Sequence, residues 1–395
     1  MTLSDELKWR GFVNQTTFKD LKDVNKPGTL YWGVDPSANS MQVGNFAAAM
    51  MVRHFVDHGW KIVLLVGGAT GMIGDPDGKA EERNLLTLGQ IAKNKASIVR
   101  QYRQVFAGKK FKVVDSYDWF KGIGYLSFLR DIGKHVSMTQ MLDREFVQSR
   151  IGKGGKGISY AEFSYSLIQG YDFLHLFRKF GVTLQVCGAD QWGNSITGVE
   201  LIRKLEGAEA HVYSCPLVIN KATGRKFGKT EEGTVWLEPK MTSVFDFYQF
   251  WLNADDAGVE DYLKVFTLLS QKQITSIMAK FKKNPAERLA QKTLAYEVTK
   301  IVHGQKQTDK AAQATAELFS AGSNANLPSV NVAAGKHNII DLLVSANLAE
   351  SKSAARRLLE QGGVKLNQKR IDSHEVVVAK GDILQAGKRH FVKIN

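Results

Sequence analysis

A chain of 395 residues has room for two or three domains around a large core. Its 44% apolar and 23% charged residues are ordinary for a globular protein, and no apolar run reaches the length that crosses a membrane. The formal net charge of +14, with no basic amphipathic helix or lipidation signal, points to a polyanionic partner, RNA or DNA before a membrane. Two cysteines, Cys187 and Cys215, exclude a disulfide framework and a Cys/His metal cluster. Only His54 and His58 stand at i, i+4; without a third ligand they read as two surface histidines, and no protein-held metal is expected. The start, MTLSDELKWRGF, has acidic residues and no signal-peptide core, so a reducing cytoplasm is the expected compartment.

Thr29 to Val34 reads as a strand, Asp35-Pro36-Ser37-Ala38-Asn39 as the turn after it, and Gly44 to His58 as a helix. A strand turning sharply into a helix aims free backbone N–H groups off the sheet's carboxyl edge, a natural phosphate site, and Gly44 lets a flat ligand approach the backbone. Lys61 to Val66 is a buried-type strand that opens into Gly67-Gly68-Ala69-Thr70-Gly71 and then Gly74-Asp75-Pro76; the glycine spacing does not fit a Walker loop. Phe111 to Val114 is a third strand. Alternation of strands and helices to about residue 210 indicates a doubly wound α/β domain. Leu126 to Arg150 reads as helical and amphipathic with Arg130, Lys134, Arg144 and Arg150 exposed, followed by a basic connector, 151–157.

The helix Tyr160 to Phe180 has an expected apolar face of Phe163, Leu167, Leu174 and Phe177. A polar stripe, Tyr165, Gln169 and Asp172, stands at i, i+4 and i+7, which fits a solvent face and fits equally a pocket wall that reads a small polar ligand. Strand Thr183 to Cys187 runs into Gly188-Ala189-Asp190-Gln191-Trp192-Gly193-Asn194 and a helix from Ser195 to Leu205, delivering Gly188, Asp190 and Gln191 to the same sheet edge. Lys221 to Gly233 is a glycine-rich lid on which Lys226 and Lys229 can straddle a pyrophosphate. Thr242 to Ser320 is helical, 321–329 reads as a linker, and the tail from Asn338 combines helices at Ile339–Ala346 and Ser351–Gln361 with a basic hairpin at 364–371.

Leu30 to Asn45 resembles the first signature of class I aminoacyl-tRNA synthetases, in the form found in bacterial-type tyrosyl-tRNA synthetases. The family pattern is a strand Tyr, Asp-Pro-Thr-Ala, then His-x-Gly-His. Here stand Tyr31, Asp35-Pro36 and Gln42-Val43-Gly44-Asn45, so both signature histidines are replaced. Lys226-Phe227-Gly228-Lys229-Thr230 is similar to the second signature, the Tyr165/Gln169/Asp172 stripe to the family's tyrosine-binding helix, and Gly188 to Asn194 to its third sheet-edge loop.

The resemblance covers nearly the whole chain. It implies a Rossmann-like catalytic domain over 1–240, a helical anticodon-side domain over 241–325 and a small α+β RNA-binding domain over 336–395. It implies formation of tyrosyl-adenylate from L-tyrosine and ATP, transfer to the 3′-terminal adenosine of tRNA(Tyr), Mg2+ carried by ATP, and a homodimer. Gln42, Asn45, Lys226, Lys229 and Thr230 would hold phosphates and ribose in the transition state. Asp35, Gly44, Gly188 and Asp190 would bind the nucleotide, and Gln191 would lie by the reacting carboxylate. Asp75, Tyr165 and Gln169 would take the substrate ammonium, and Tyr31 with Asp172 the phenol hydroxyl. Gln and Asn amide nitrogens reach about as far as the two imidazole nitrogens, so neutral donors are retained. A non-catalytic RNA-binding paralogue leaves Lys226, Lys229, Asp190 and the tyrosine pocket unexplained. The tryptophan-specific sister enzyme fits neither Tyr31/Asp172 nor the tail.

Overall fold

The apolar runs that begin at Thr29 and Lys61 become neighbouring parallel strands, as expected of segments buried on both faces. The computed structural model describes residues 1–76, 86–152, 157–230, 233–319, 328–387 and 390–395. Most of the expected basic connector and linker, 153–156 and 320–327, therefore lies outside the described residues. The chain divides into two units, 1–238 with 260–271, and 239–259 with 272–395.

The first unit is built on a six-stranded sheet: β1 Gln15–Thr16, β2 Thr29–Val34, β3 Lys61–Val66, β4 Lys112–Asp115, β5 Leu184–Gly188 and β6 His211–Cys215, in the order β1-β6-β5-β2-β3-β4. All pairs are parallel except β1 with β6. β2 has β3 on one flank and β5 on the other. Their crossovers pass on opposite faces, which opens a crevice at the carboxyl ends of β2 and β5. Alternation along β2 sends Trp32 toward Tyr102 and Phe106, and Tyr31 to the other face against Phe173.

The helix Val43–Asp57 follows β2 and is buried along most of its length, from Phe46 to Val52. The helix Tyr160–Phe180 starts with Ser159 Oγ accepting from Glu162 N (3.2 Å) and ends at Gly181, in the left-handed region. It packs on Trp192–Glu206 through two bare positions: a Cβ on Gly170 would stand 2.8 Å from Thr197 Cγ2, and one on Gly198 2.7 Å from Phe173 Cβ. That close approach moves the buried face from the expected one. Leu167, Phe173, Leu174 and Leu176 are buried, whereas Phe163 and Phe177 are only half-buried.

Two further expectations are corrected. The helical stretch over 126–150 is divided into four short pieces, Tyr125–Asp131, Gly133–His135, Met138–Leu142 and Glu145–Ile151, with Ser137 capping the third. Arg130 and Lys134 are exposed, but Arg150 is buried in an ion pair with Glu162 (2.9 Å), and the half-buried Arg144 donates to Thr197 Oγ1 (2.6 Å). His54 is not a surface histidine. It is buried, with Nδ1 3.2 Å from Glu6 Oε1, and His58 Nε2 lies 2.8 Å from Glu6 Oε2. The i, i+4 spacing serves a carboxylate on the helix Leu3–Arg10, where Arg10 Nε also donates to Glu6 (2.8 Å).

In the second unit, Val244–Leu252, Leu289–His303 and Gln305–Phe319 bury Phe247, Trp251, Leu294 and Val298. After them comes a module with helices Ile339–Ser345 and Lys352–Glu360 and a five-stranded sheet. The basic hairpin pairs Val364–Leu366 with Lys369–Arg370 through Asn367 and Gln368, both at positive φ (50° and 69°), as a tight two-residue turn requires. The sheet takes in Ser329–Val330, paired with Lys393–Ile394, so Ser329 is part of the module and not of a linker. No helix among the described residues is long and apolar enough to cross a membrane.

Candidate active site

The crevice at the switch point is a cavity of about 550 Å3. Its floor comes from β2 and the helix Tyr160–Phe180. Tyr31 is 1% exposed, and its Oη is buried with no hydrogen-bond partner. Asp172 Oδ1 accepts from Trp119 Nε1 (2.9 Å), while Oδ2 is buried and unpartnered. Burial pushes the Asp172 carboxyl well above the usual carboxylate range, against the Trp119 bond. Gln169 Oε1 and Gln185 Oε1 are buried and unpartnered on the same lining. Each such atom costs about 1–3 kcal/mol when left unpaired. Four of them converging on one cavity describe a place that a polar ligand completes.

One turn along the same helix, Tyr165 Oη donates to Asp35 Oδ2 (2.7 Å), and Thr70 Oγ1 donates to Asp35 Oδ1 (2.6 Å). Burial, with the Asp35 and Asp75 charges next, raises the Tyr165 hydroxyl well above its ordinary pKa, so it remains a donor. The meeting of Asp35 with Thr70 depends on Gly67, where a Cβ would lie 2.1 Å from Asp35 Oδ1. Asp75 Oδ2 accepts from Gln191 Nε2 (2.5 Å), and Gln191 O accepts from Ser195 Oγ (2.7 Å). Asp190 and Gln191 sit on the one-turn helix Ala189–Gln191, directly after β5, and a Cβ on Gly188 would lie 2.6 Å from Asp190 Oδ1.

The opposite wall is the first turn of Val43–Asp57. Asn45 Oδ1 accepts from Gln42 N (3.1 Å), so this amide caps the helix start while both side chains line the cavity. A Cβ on Gly44 would meet nothing within 4 Å, leaving the backbone N–H groups and the positive end of the helix dipole approachable. Lys226 also lines the cavity. The loop beyond it is pressed onto the same turn: Gly228 is at φ +87°, and a Cβ there would stand 2.8 Å from Val43 Cβ. Phe227 packs on Tyr262 and Phe266 at ring-centroid distances of 4.2 and 5.7 Å.

One cavity thus collects Tyr31, Asp35, Gln42, Gly44, Asn45, Asp75, Tyr165, Gln169, Asp172, Gly188, Asp190, Gln191 and Lys226. The side chains of Lys229 and Thr230 lie outside the described residues. Sequence reasoning missed Thr70, Trp119 and Gln185. Gln185 had a readable signal, a lone amide in the apolar run of β5, and its register partner across the sheet is Tyr31. Among the described residues no group of three His, Cys, Asp or Glu is arranged to hold a metal ion.

A doubly wound sheet with this crevice, an open helix start and a lysine loop folded over it has the layout of a class I tRNA synthetase. The chain belongs to that family: the profile of the class I tRNA synthetases (W and Y) matches residues 22–320, and that of the tyrosine–tRNA ligase SYY-like C-terminal domain matches 319–392. Its relatives within the family are tyrosine–tRNA ligases. The Limosilactobacillus fermentum enzyme is 41% identical over 414 residues, covering 99% of this chain and 98% of its own. The Geobacillus stearothermophilus enzyme is 43% identical over 391 residues, covering 94% and 92%. Among solved structures, a C-terminally truncated Aspergillus nidulans mitochondrial tyrosyl-tRNA synthetase superposes with a TM-score of 0.72 at 30% identity, covering 80% of this chain and 94% of that one.

Proposed function

We propose that the chain activates L-tyrosine with ATP in this cavity and passes the tyrosyl group to the 3′-terminal adenosine of tRNA(Tyr). The observation that carries the reading is the pair of unpartnered atoms on the floor, Tyr31 Oη and Asp172 Oδ2, which a phenol hydroxyl completes. Asp75, Tyr165 and Gln169 face the substrate ammonium, and Gln191 the carboxylate. That carboxylate attacks the α-phosphorus as pyrophosphate leaves; being already ionised, it needs no general base. Positioning and charge stabilisation then do the catalysis. Asp35, Gly188 and Asp190 serve the nucleotide. Gln42, Gly44, Asn45 and Lys226, with Lys229 and Thr230, meet the charge that grows on the phosphates. Mg2+ arrives on ATP as counter-charge to its phosphates.

The 3′-terminal ribose hydroxyl then attacks the tyrosyl carbonyl and AMP departs. The exposed Arg356 and Arg357 of the C-terminal module fit tracking of the tRNA backbone. A homodimer in the cytoplasm completes the reading, and the exposed Tyr125, Leu126 and Tyr160 fit a surface that a second copy covers. Tyrosine-dependent exchange of labelled pyrophosphate into ATP tests the activity. Exchange equal to the blank without tyrosine, in a folded sample, overturns it.

A further inference from the structure

The helix Leu88–Val105 carries polar side chains where a core helix should be apolar. Asn94, Ser97 and Gln101 stand at i, i+3 and i+7 and are 7%, 5% and 1% exposed. Each reaches the turn between β2 and Val43–Asp57. Asn94 Nδ2 donates to Pro36 O (2.9 Å), and Ser97 Oγ to Asn39 Oδ1 (2.8 Å). Gln101 makes two bonds: Oε1 accepts from Met41 N (2.8 Å), and Nε2 donates to Ser40 Oγ (2.9 Å).

Ser40 extends the ladder to the lysine loop. Its Oγ also accepts from Glu238 N (3.0 Å), at the end of the segment that leaves the loop, and Arg100 pairs with the Glu238 carboxylate. The same segment is stitched to the start of the signature helix by Leu237 N to Met41 O (3.0 Å) and Val43 N to Val235 O (3.2 Å). None of these groups in Leu88–Val105 lines the cavity. Their hydrogen bonds converge on the two loops that do.

We propose that Gln101, backed by Asn94 and Ser97, is a positioning residue that sets Gln42 and Asn45 against the lysine loop for adenylate formation. The proposal rests on the adenylation reading above. A buried amide with two bonds has one arrangement, so it holds the helix start more tightly than apolar packing of the same volume would. A displacement of about 1 Å at a reacting group costs on the order of 100-fold in rate.

The experiment uses the full chain and two variants. Gln101→Met keeps the volume and loses both bonds; Ser40→Ala removes the node that joins the loops. Each should lower the rate of adenylate formation by about 10- to 100-fold with the tyrosine KM unchanged. Hydrogen–deuterium exchange should quicken at Met41 and at Glu238 together, without a comparable rise across β3. An active parent whose Gln101→Met variant forms adenylate at the parental rate overturns the proposal. So does unchanged exchange at those two amides, whether or not the parent is active. A blank parent rate overturns the adenylation reading separately.

Discussion

Tyr31→Phe removes a single atom, Oη, from the floor of the cavity, where the Tyr31 ring packs beside Phe173. With tyrosine bound, Oη gains the substrate hydroxyl as partner. A neutral hydrogen bond of that kind nets about 0.5–1.5 kcal/mol. At 1.36 kcal/mol per tenfold, the ratio of kcat/KM for tyrosine over phenylalanine should fall about 2- to 13-fold.

Asp172→Asn gives the scale a second point. The variant keeps an acceptor for Trp119 Nε1 and replaces the buried carboxyl. Burial favours the neutral form of that carboxyl, so its bond to the phenol nets about 0.5–1.5 kcal/mol and discrimination should fall about 2- to 13-fold. Pyrophosphate exchange with each amino acid measures both effects. Unchanged selectivity in both variants refutes the phenol-pocket reasoning.

Gln42→Ala and Asn45→Ala should each slow adenylate formation, by up to the 2.7–4 kcal/mol typical of one lost donor to developing charge, with tyrosine affinity unchanged in rapid-quench assays. Asn45→Ala should also cost about 0.5–2 kcal/mol in urea melts because its carboxamide caps Gln42 N. The His54 contact, aided by Arg10, holds the Glu6 carboxyl down at about 2 against an ordinary 4.5. A depressed carboxylate stabilises the fold fully above pH 4.5 and loses that contribution as pH falls toward 2. Glu6→Gln should therefore lose at most about 3 kcal/mol at pH 7 and show a flatter stability profile between pH 4.5 and 2 in acid titrations. Deleting residues 328–395 should leave pyrophosphate exchange nearly intact while tRNA charging falls sharply, most of all at higher salt; equal loss of both steps would make the module part of the catalytic core.

The stretches that were legible are those in which local pattern and tertiary environment agree. β2 and β3 fall on Thr29–Val34 and Lys61–Val66 as expected, and the helix Tyr160–Phe180 with its Tyr165/Gln169/Asp172 stripe is where its periodicity put it. The stripe's spacing was readable, whereas the choice between a solvent face and a pocket wall needed the burial of Tyr165 and Asp172. The breaks within 126–150 were not legible because the apolar spacing survives across Gly133 and Ser137, which interrupt the helix while preserving the pattern. Burial of Arg150 and His54 depends on Glu162 and Glu6, partners that spacing does not reveal. Asn94, Ser97 and Gln101 were invisible for the same reason: polar residues on a helix read as solvent-facing until the loop they hold is in place.

The amides at Gln42 and Asn45 change how this wall of the cavity responds to acid. An imidazole with an ordinary pKa near 6.5 gains a proton, and a charge, within the range over which a cell's interior can drift. A carboxamide does not titrate there. Asn45 is further held in one orientation, because its carbonyl oxygen is committed to Gln42 N. Among the described residues lining the cavity there is no histidine at all. These two side chains therefore keep the same charge from mildly acidic to mildly alkaline conditions. Their donors are set by the fold, and acidification of the surroundings leaves them as they were.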